Sequence, residues 1–447
     1  MKKFNKYILA IFIASSLLVA CDDQLNLEPA QSISESKALD SDKNVKNTLR
    51  GAYSVYRNGA LYGGNIMRNA ELLAGDGEIL WVGTFSGPRQ IFNKQMFAPN
   101  EDVRAHWMDA YNMINICNNV LSALSVVNEA DKNKIEGEAL FLRALGYFDL
   151  VRFFGLPYQS GTQNTQLGVP LILQPTRGIN DESFVSRNTV EDVYKQVVED
   201  LTKSASLLPD ANGILPAKNA ANGLLARVYL QQGDYAKARE AANTVIQSGR
   251  NSLRPTYAAV FNQDVPTTED VFATEITSQD ARSSMTVFFS TPPFGGRDGD
   301  IDILPGHMAL YEANDARRAL FFEGNGALRT GKYNTQFGTV PIIRLAEMYL
   351  IRAESNQRLN STTGATPLED VNRLRTRSGL AAKTSVTLDD ILLERRLELA
   401  FEGHRIHDIR RLKQRFGNFD YNDPKLVFPI PAREIEANKN LVQNAGY

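Results

Sequence analysis

The chain has 447 residues and is nearly balanced in charge, with 49 Lys and Arg against 51 Asp and Glu and a formal net charge of −2. This balance gives no electrostatic case for a polyanionic partner, so nucleic-acid binding is not expected. Hydrophobic residues make up 43% of the chain and charged residues 22%, an ordinary globular composition that excludes disorder as the state of the bulk.

The first residues have the pattern of an exported lipoprotein. After a positively charged start, residues 7–20 form an apolar stretch of signal-peptide length that is too short for a comfortable membrane span. Cys21 directly follows a small residue, Ala20, as in the bacterial lipobox, where the cysteine thiol is lipidated and becomes the new N-terminus. Residues 1–20 are therefore predicted to be a signal peptide and Cys21 a lipidation site. A plain signal peptide before an unmodified cysteine is the alternative.

Lipidation of Cys21 would attach the protein to a membrane. Each buried methylene group contributes about 0.8 kcal/mol, so two or three acyl chains hold a protein stably. The polar residues 21–44 are predicted to form an extended tether. Cys117 is the only other cysteine, so no disulfide is expected in the mature chain. Because Cys117 lies in an apolar helical pattern, it is predicted to be a small core residue.

Apolar residues at three- and four-residue spacing dominate the rest of the chain and predict a mainly α fold. Gly155 and Pro157 end one helical pattern, and Thr189 is suited to cap the next. Trp107 opens the first pattern and is predicted to lie in the core. Helices are predicted over residues 107–124, 134–154, 190–208, 217–232 and 235–248, and the helical pattern resumes at residue 342.

The two helices predicted over residues 217–248 have the spacing of a tetratricopeptide repeat, in which small residues let paired helices approach closely. A small residue followed by tyrosine three positions later recurs in other helical segments, which favours a scaffold of stacked helix pairs. The repeat-type residues are Leu225, Ala226, Tyr229, Ala238 and Ala242, and the recurrences are Ala144 with Tyr147 and Ala346 with Tyr349.

Residues 251–340 differ in character from the segments on either side. Pro, Gly, Thr, Asp and Phe dominate there, and helical periodicity fades. We predict an elaboration of loops and strands on a helical platform, where binding residues tend to concentrate. The whole of residues 45–447 is predicted to be one domain, with the platform at about 45–250 and 341–447.

The most specific motifs lie in the C-terminal third, and four others precede them. The C-terminal motifs are IRLAEMYLIRAE (343–354), VNRLRTRSG (371–379), ERRLELAFEGHR (394–405), DIRR (408–411) and PIPAREIEAN (429–438), and the earlier ones are LNLEP (25–29), GAY (51–53), EALFLRA (138–144) and ARVYL (226–230). Together they cover nearly the whole mature chain and resemble the SusD/RagB family of outer-membrane nutrient-binding lipoproteins. His407 departs from this family, which often has an aromatic residue there, and is expected to pack.

The resemblance implies a SusD-like, tetratricopeptide-type platform of paired helices with a loop-rich ligand-binding elaboration. It also implies a partner, a SusC-like TonB-dependent β-barrel transporter in the outer membrane, over which the lipoprotein sits as a lid. Substrates in the family are mostly oligosaccharides and less often peptides. Asp22 and Asp23 resemble the family's surface-export signal, so the protein is expected to be lipid-anchored in the outer membrane and exposed at the cell surface.

One charged cluster has the spacing of an acid/base site but favours a structural role. Glu394, Glu398, Glu402 and Arg405 fall on one face of a predicted helix at three- and four-residue steps. Alternating charges at such spacing are expected to form ion pairs that lock helices together. The sequence also lacks a phosphate-binding glycine loop, a nucleophile elbow and a zinc-type cluster, so it is not expected to be an enzyme.

Two patterns resemble metal sites but are incomplete. His404 and His407 are three residues apart, yet a third ligand is missing. The alternating carboxylates of residues 298–302 depart from the EF-hand pattern, because Ile303 stands where glycine is required. A looser structural Ca²⁺ site is left open without support, and no cofactor is predicted.

Sugar binding needs a flat ring to cover the apolar face of a pyranose and nearby polar groups to satisfy its hydroxyls. Residues 71–89 and 288–300 offer this mixture, and the first segment falls where similar family members place ligand contacts. Core packing is the alternative for Trp81. The predicted ligand-binding residues are Asp76, Glu78, Trp81, Phe85 and Arg89 in the first segment and Phe294 and Arg297 in the second, where Asp298 adds a carboxylate.

The function predicted from these observations is capture of an oligosaccharide and its delivery to the transporter, without chemistry. A peptide ligand is an alternative within the same family. A scaffold whose helical surface mainly docks another protein is a second alternative, since repeat platforms commonly do so. A surface glycosidase is a third and would need two carboxylates about 5–10 Å apart across a cleft.

Overall fold

Helices account for most of the described chain, which confirms the predicted mainly α fold. The computed structural model describes residues 35–75 and 77–447. The predicted signal peptide, the lipidation site Cys21 and the predicted ligand residue Asp76 lie outside the described residues. Within the described ranges, no helix combines the length and the apolar character needed to cross a membrane.

The longer helices form the platform, and shorter ones support the loops between them. In chain order they are α1 (Glu35–Ala38), α2 (Asp42–Tyr56), α3 (Asn65–Ala74), α4 (Ser86–Asn93), α5 (Glu101–Ser122), α6 (Glu129–Phe154), α7 (Val190–Leu207), α8 (Lys218–Gln232), α9 (Tyr235–Gln247), α10 (Ser284–Phe289), α11 (Pro305–Met308), α12 (Leu345–Leu359), α13 (Pro367–Arg377), α14 (Leu388–Glu398), α15 (Arg405–Arg411) and α16 (Ala432–Ala437).

Capping residues set the ends of these helices. The side chain of Thr189 accepts the backbone N–H of Asp192, whose carboxylate accepts the N–H of Thr189, so the predicted cap of α7 is confirmed. Helix α5 begins six residues before the predicted start, because Asn100 caps it and two acidic residues occupy its first turn.

Each long helix packs against the next, so the platform is a stack. Helix α5 packs on α2 and α6, α7 lies between α6 and α8, and α9 lies between α8 and α12. Gly233 adopts a left-handed φ of 73° at the end of α8 and allows the tight turn into α9. Ala226, Ala238 and Ala242 are fully buried in this pair, as the predicted close approach of the two helices requires.

The strands are short, and four of the six in the described residues lie wholly within residues 251–340. Strand β1 (Ile79–Trp81) pairs with β3 (Ile301–Ile303), β2 (Asp270–Ile276) with β6 (Gly338–Arg344), and β4 (Phe321–Gly324) with β5 (Ala327–Thr330), all antiparallel. Asn325 and Gly326 have positive φ and make the two-residue turn of the last pair. Residues 251–340 thus form loops, short helices and paired strands.

A buried cluster of paired charges joins this elaboration to the platform. We call it the charged centre; it comprises Glu269, Arg317, Lys332, Arg344, Arg377, Glu394, Glu398 and Glu402. The predicted ion pairs of Glu394, Glu398 and Glu402 are therefore confirmed. The prediction that these residues share one face of a single helix is wrong. Helix α14 ends at Glu398, and Phe401 has a left-handed φ of 63°, which a right-handed helix does not contain.

Three predicted packing residues lie in the interior. Trp107 and Cys117 are buried in the main core, and burial raises the pKa of the Cys117 thiol to about 12. His407 is buried with its ring edge-on to Phe153 at 5.3 Å between centroids. A thiol that is protonated and enclosed is unreactive at neutral pH.

Candidate functional site

The two predicted ligand segments meet through the pairing of β1 with β3. Strand β1 lies in the first segment, β3 directly follows the second, and the register places Leu80 opposite Asp302 and Trp81 opposite Ile301. The first segment is less loop-like than predicted, because its ends belong to α3 and α4. Glu71 is therefore a buried residue of α3.

Trp81 lies beneath the surface of this region, and Phe85 lies on it. Only 6% of Trp81 is exposed, and its ring is 5.8 Å from that of Phe288 between centroids. The ligand role of Trp81 stays a prediction, and this burial favours the alternative of core packing. Phe85 contacts the same Phe288 ring edge-on at 6.0 Å and is 47% exposed. An accessible ring is therefore presented by Phe85.

Arg297 from the second segment stacks on Phe85 from the first. Its guanidinium carbon lies 4.2 Å from the centroid of the Phe85 ring. One Nη2–H donates to the Thr84 hydroxyl at 3.1 Å, and Nε lies 3.4 Å from the Asp300 carboxylate. Burial raises the pKa of Asp300, and the neighbouring Arg297 charge opposes that rise. The cation is thus fixed over the ring while part of it faces solvent.

Phe294 extends the exposed rings along the second segment. It is 38% exposed and meets Phe322 of β4 edge-on at 5.4 Å between centroids. We call Phe85, Phe294, Phe322 and Arg297 the aromatic surface. Such a surface offers rings for the C–H face of a sugar and guanidinium N–H groups for its hydroxyls.

Arg89 has a local structural partner. Its Nη2–H donates to the backbone carbonyl of Gly83 at 2.7 Å, which ties the start of α4 to the end of β1. The guanidinium therefore holds the turn that carries Phe85. Its predicted contact with a ligand stays a prediction.

The alternating carboxylates of residues 298–302 have guanidinium neighbours. The carboxylate of Asp302 accepts a hydrogen bond from Arg329 at 2.6 Å, and Asp300 is close to Arg297. Asp298 contributes its backbone carbonyl to Asn325. In the described part of the chain, no three His, Cys, Asp or Glu side chains are grouped to hold a metal ion.

Glu78 lines a cavity of about 240 Å³ between α3, β1, α14 and α15. We call it the Glu78 cavity. The carboxylate accepts a hydrogen bond from His307 Nδ1 at 2.8 Å and hydrogen bonds from Arg396, and Arg405 Nε lies 3.5 Å away. The polar lining also includes Glu71, Arg395, Asp389, His404 and Asp408, and the apolar lining includes Ala74, Ile79, Leu392, Leu393 and Phe401.

The two glutamates of the cavity have opposite pKa shifts. Burial alone would raise the pKa of Glu78, but the hydrogen bond from His307 and the charge of Arg396 outweigh burial and lower the pKa to about 2. Glu71 is buried with one donor, the N–H of Gly403 at 2.7 Å, and burial raises its pKa to about 7. Glu78 is therefore ionised at neutral pH, while Glu71 is partly protonated.

His307, Arg396 and Arg405 are residues of this cavity that sequence reasoning missed. Arg405 was expected in a helix-locking ion pair, and its carboxylate neighbour is Glu78, more than three hundred residues earlier in the chain. The pattern of the sequence carries no signal for such a pairing. Only the packing of α3 and β1 on α14 and α15 brings these side chains together.

A second cavity, of about 450 Å³, lies between α5, the segment of residues 170–185 and α16. Trp107 and Tyr111 form part of its wall, and Phe184 and Ile179 line it from the segment. Ile179 is 86% exposed and Phe184 39%. Exposed apolar side chains around an apolar groove are typical of a contact site for another molecule.

Comparison with known proteins agrees with this architecture. The sequence matches two family descriptions, "Starch-binding associating with outer membrane" over residues 23–230 and "SusD family" over residues 321–426. It is 27% identical to SusD-like protein P2 of Formosa agariphila, over 99% of this chain and all of that one. A shorter match, 34% identical, covers 24% of this chain and 21% of the starch-binding protein SusD of Bacteroides thetaiotaomicron.

The fold is shared with solved structures. A SusD superfamily protein from Bacteroides thetaiotaomicron superposes with a TM-score of 0.79 and 26% sequence identity, over 90% of this chain and 99% of that one. The matched sequence regions include large parts of the helical platform and the last residues of the elaboration, 321–340. On this evidence of sequence and fold, the chain belongs to the SusD/RagB family.

Proposed function

We propose that this protein is a cell-surface lipoprotein that captures an oligosaccharide and delivers it to a SusC-like TonB-dependent transporter in the outer membrane. The observation that carries the proposal is the aromatic surface, where Arg297 of one predicted ligand segment is fixed over the exposed ring of Phe85 from the other. Relatives named as starch-binding support a glycan as the ligand. The rings and the guanidinium group of this surface are suited to binding a sugar, and the proposal assigns no reaction to them.

The aromatic surface is suited to sugars because its parts are held in place before a ligand arrives. Phe288 supports Phe85 from below, and Arg297 is fixed by its contacts with Thr84 and Asp300. A ring with few rotatable bonds loses little entropy when it stacks on a pyranose. The remaining N–H groups of Arg297 are then available to sugar hydroxyls.

The first test is the change Phe85→Ala in the mature protein. Loss of the exposed ring is expected to weaken glycan binding about tenfold or more, because the stacking surface disappears. Binding is measured by affinity electrophoresis in gels containing soluble starch or other polysaccharides, followed by calorimetry with the oligosaccharide identified. Phe184→Ala is the matched control, since Phe184 is also partly exposed but lines the second cavity.

Two outcomes would overturn parts of this proposal. If Phe85→Ala binds a glycan as tightly as the unchanged protein, the aromatic surface is not the ligand site. If the unchanged protein binds peptides and no polysaccharide or oligosaccharide, the peptide alternative replaces the glycan proposal.

Binding without hydrolysis is part of the proposal. In the Glu78 cavity, an ionised Glu78 and a partly protonated Glu71 occur together, as acid and base do in glycosidases. Glu78, however, is engaged by His307, Arg396 and Arg405, which leaves a poor nucleophile. Purified protein is expected to release no reducing ends from a polysaccharide that it binds.

Anchoring through Cys21 is tested separately from binding. Lipidated protein is expected to stay with the membrane after a carbonate wash, whereas Cys21→Ala protein is expected in the soluble fraction. Retention of the Cys21→Ala protein on the membrane would show another anchor. Mass spectrometry of the mature N-terminus identifies the acyl chains directly.

The groove of the second cavity favours contact with a protein partner. Ile179 presents an apolar side chain that is 86% exposed beside an apolar cavity, and a transporter surface would bury both. Ile179→Asp is expected to reduce co-purification with the transporter and to leave glycan binding unchanged. Unchanged co-purification would remove this groove from the interface.

A further inference from the structure

The Glu78 cavity brings three arginines, Arg395, Arg396 and Arg405, together with four acidic residues, and of these arginines Arg405 alone donates no hydrogen bond to a described residue. Arg396 and Arg405 both converge on Glu78, but only Arg396 donates hydrogen bonds to it. Arg405 approaches it at 3.5 Å, and its Nε has no hydrogen-bond partner. The neighbouring Arg395, which is 2% exposed, also has a buried Nη1 without an acceptor. Buried donors without acceptors are uncommon and costly.

The remaining charges around the cavity limit what it can accept. Asp408 is already paired with Arg395 and Arg411, so it adds no free negative charge. Asp389 is exposed at the rim, and Glu71 is partly protonated because burial raises its pKa to about 7. With these acidic groups nearby, one guanidinium that contacts Glu78 only at 3.5 Å matches a single negative charge better than a dianion.

The walls and size of the cavity point to a sugar ring carrying that charge. Ile79, Leu392, Leu393 and Phe401 form an apolar wall beside the arginines. The volume of about 240 Å³ lies below the roughly 300–1,000 Å³ typical of cavities for drug-sized ligands, so it suits one ring unit. A planar carboxylate fits the fork of a guanidinium with two parallel hydrogen bonds.

The cavity lies next to the aromatic surface through strand β1. Ile79 lines the cavity, and Trp81, two residues further along the strand, supports the surface from beneath. Two residues of a strand span about 7 Å. Strand β1 therefore connects the wall of the cavity to the ring that supports the aromatic surface.

We propose that the Glu78 cavity binds the carboxylate of a uronosyl unit through Arg405 and Arg396, so that the captured oligosaccharide is acidic. This rests on the proposed function, which it deepens by naming the class of ligand. Arg405, which contacts Glu78 without a hydrogen bond, provides the guanidinium N–H groups, Arg396 orients it through the shared Glu78, and the apolar wall covers the C–H face of the ring.

The test measures binding of single sugars to the mature protein by calorimetry and ligand-observed NMR. Glucuronate and galacturonate are expected to bind, and their methyl esters, which keep the shape and lose the charge, are expected to bind at least about tenfold more weakly. Glucose, a sulfated glucose and a short peptide with a free C-terminus complete the panel. Equal binding of acid and ester, or binding of the sulfated sugar or the peptide instead of uronates, would overturn the inference.

Two variants locate the site. Arg405→Gln is expected to reduce uronate affinity by about 10–100-fold, whereas Arg250→Gln, which changes an exposed arginine elsewhere, leaves it unchanged. Leu393→Glu adds an anion at the rim without disturbing the core, because Leu393 is 40% exposed, and it is expected to weaken uronate binding. Leu359→Glu is its matched control at the same exposure.

The result separates this inference from the proposed function. Neutral oligosaccharides that bind at the aromatic surface, with no uronate binding in the cavity, would refute the inference and leave the function standing. Uronate binding that Leu393→Glu and Arg405→Gln leave intact would place the acid site elsewhere and also refute it. Absence of binding to any glycan would refute the proposed function itself.

Discussion

Arginine plays opposite roles in the charged centre and on the aromatic surface. Arg344 is 1% exposed and donates to three carboxylates, those of Glu269, Glu398 and Glu402, at 2.7–2.9 Å. Arg297 keeps a partly exposed side chain, with one carboxylate at 3.4 Å and a ring beneath it. Burial requires every charge to have partners within the protein, whereas a surface that leaves donors unused can offer them to a ligand.

The largest effect is expected from breaking the charged centre. Arg344→Met leaves Glu398 and Glu402 buried with fewer partners, so the free energy of unfolding should fall by about 3–5 kcal/mol. Urea denaturation followed by circular dichroism measures it. Arg415→Met is the control, because Arg415 and its partner Asp420 are both about 70% exposed, and it should change stability by no more than about 0.5 kcal/mol. Similar losses in both variants would contradict the comparison.

The change Trp81→Ala tests whether Trp81 belongs to the core or to the aromatic surface. Because its ring is buried against Phe288, Trp81→Ala is expected to lower the free energy of unfolding by about 3 kcal/mol. Urea denaturation again provides the measurement. A change below about 0.5 kcal/mol, with a loss of glycan affinity, would instead show that Trp81 contacts ligand.

His106 shows what happens to a buried ionisable group that lacks a partner. It lies among Phe153, Phe154 and Phe428, both ring nitrogens lack hydrogen bonds, and burial lowers its pKa to about 4. The unfolded chain binds this proton at a higher pH than the folded protein does. Above about pH 6.5 His106 is therefore neutral in both states and does not lower the free energy of unfolding. As the pH falls from there towards 4, the unfolded chain is protonated first and the free energy of unfolding decreases.

The prediction for His106 is made as a difference between two proteins, because other buried groups also contribute to the pH dependence of stability. Burial raises the pKa of Glu71 and Asp270 and lowers the pKa of His404 and His407. The stability of His106→Phe relative to the unchanged protein should rise by on the order of 2 kcal/mol between pH 7 and pH 4.5. Urea denaturation at a series of pH values tests this. A difference independent of pH would mean that His106 is not held neutral.

Phe85 is expected to give the smallest change in stability. Its ring is 47% exposed and meets the buried Phe288 edge-on, so Phe85→Ala should alter the free energy of unfolding by no more than about 0.5 kcal/mol. Together with the loss of glycan binding proposed above, this would separate Phe85 from Trp81. A loss close to that of Trp81→Ala would mean that both rings belong to the core.

The sequence predicted much of the fold from local patterns. Thr189 marks the start of α7, Gly233 the end of α8, and the buried alanines of that pair follow the predicted spacing. The spacing of Glu394 and Glu398 predicted ion pairs, but their partners Arg317 and Arg344 come from distant segments. The end of α14 was missed, because the left-handed residue Phe401 has no local signature.

The candidate site was predicted only in part. Composition identified two segments rich in rings and polar groups, and the contact between Phe85 and Arg297 shows that they adjoin. Composition alone does not distinguish the exposed Phe85 from the buried Trp81, since both are aromatic residues of one short segment. The assignment of Glu78 to a separate cavity depends on Arg396 and Arg405, which the sequence places far away.

The sequence by itself determined several of the long helices, the ends of α7, α8 and α9 to within one residue, and which family the motifs resemble, because these properties depend on residues near one another along the chain. The tertiary structure decided which aromatic ring is accessible, which charges are paired, and where guanidinium N–H groups lie without a hydrogen-bond acceptor. Those properties depend on burial and on distances between remote segments, which arise only when the elaboration packs on the helical platform.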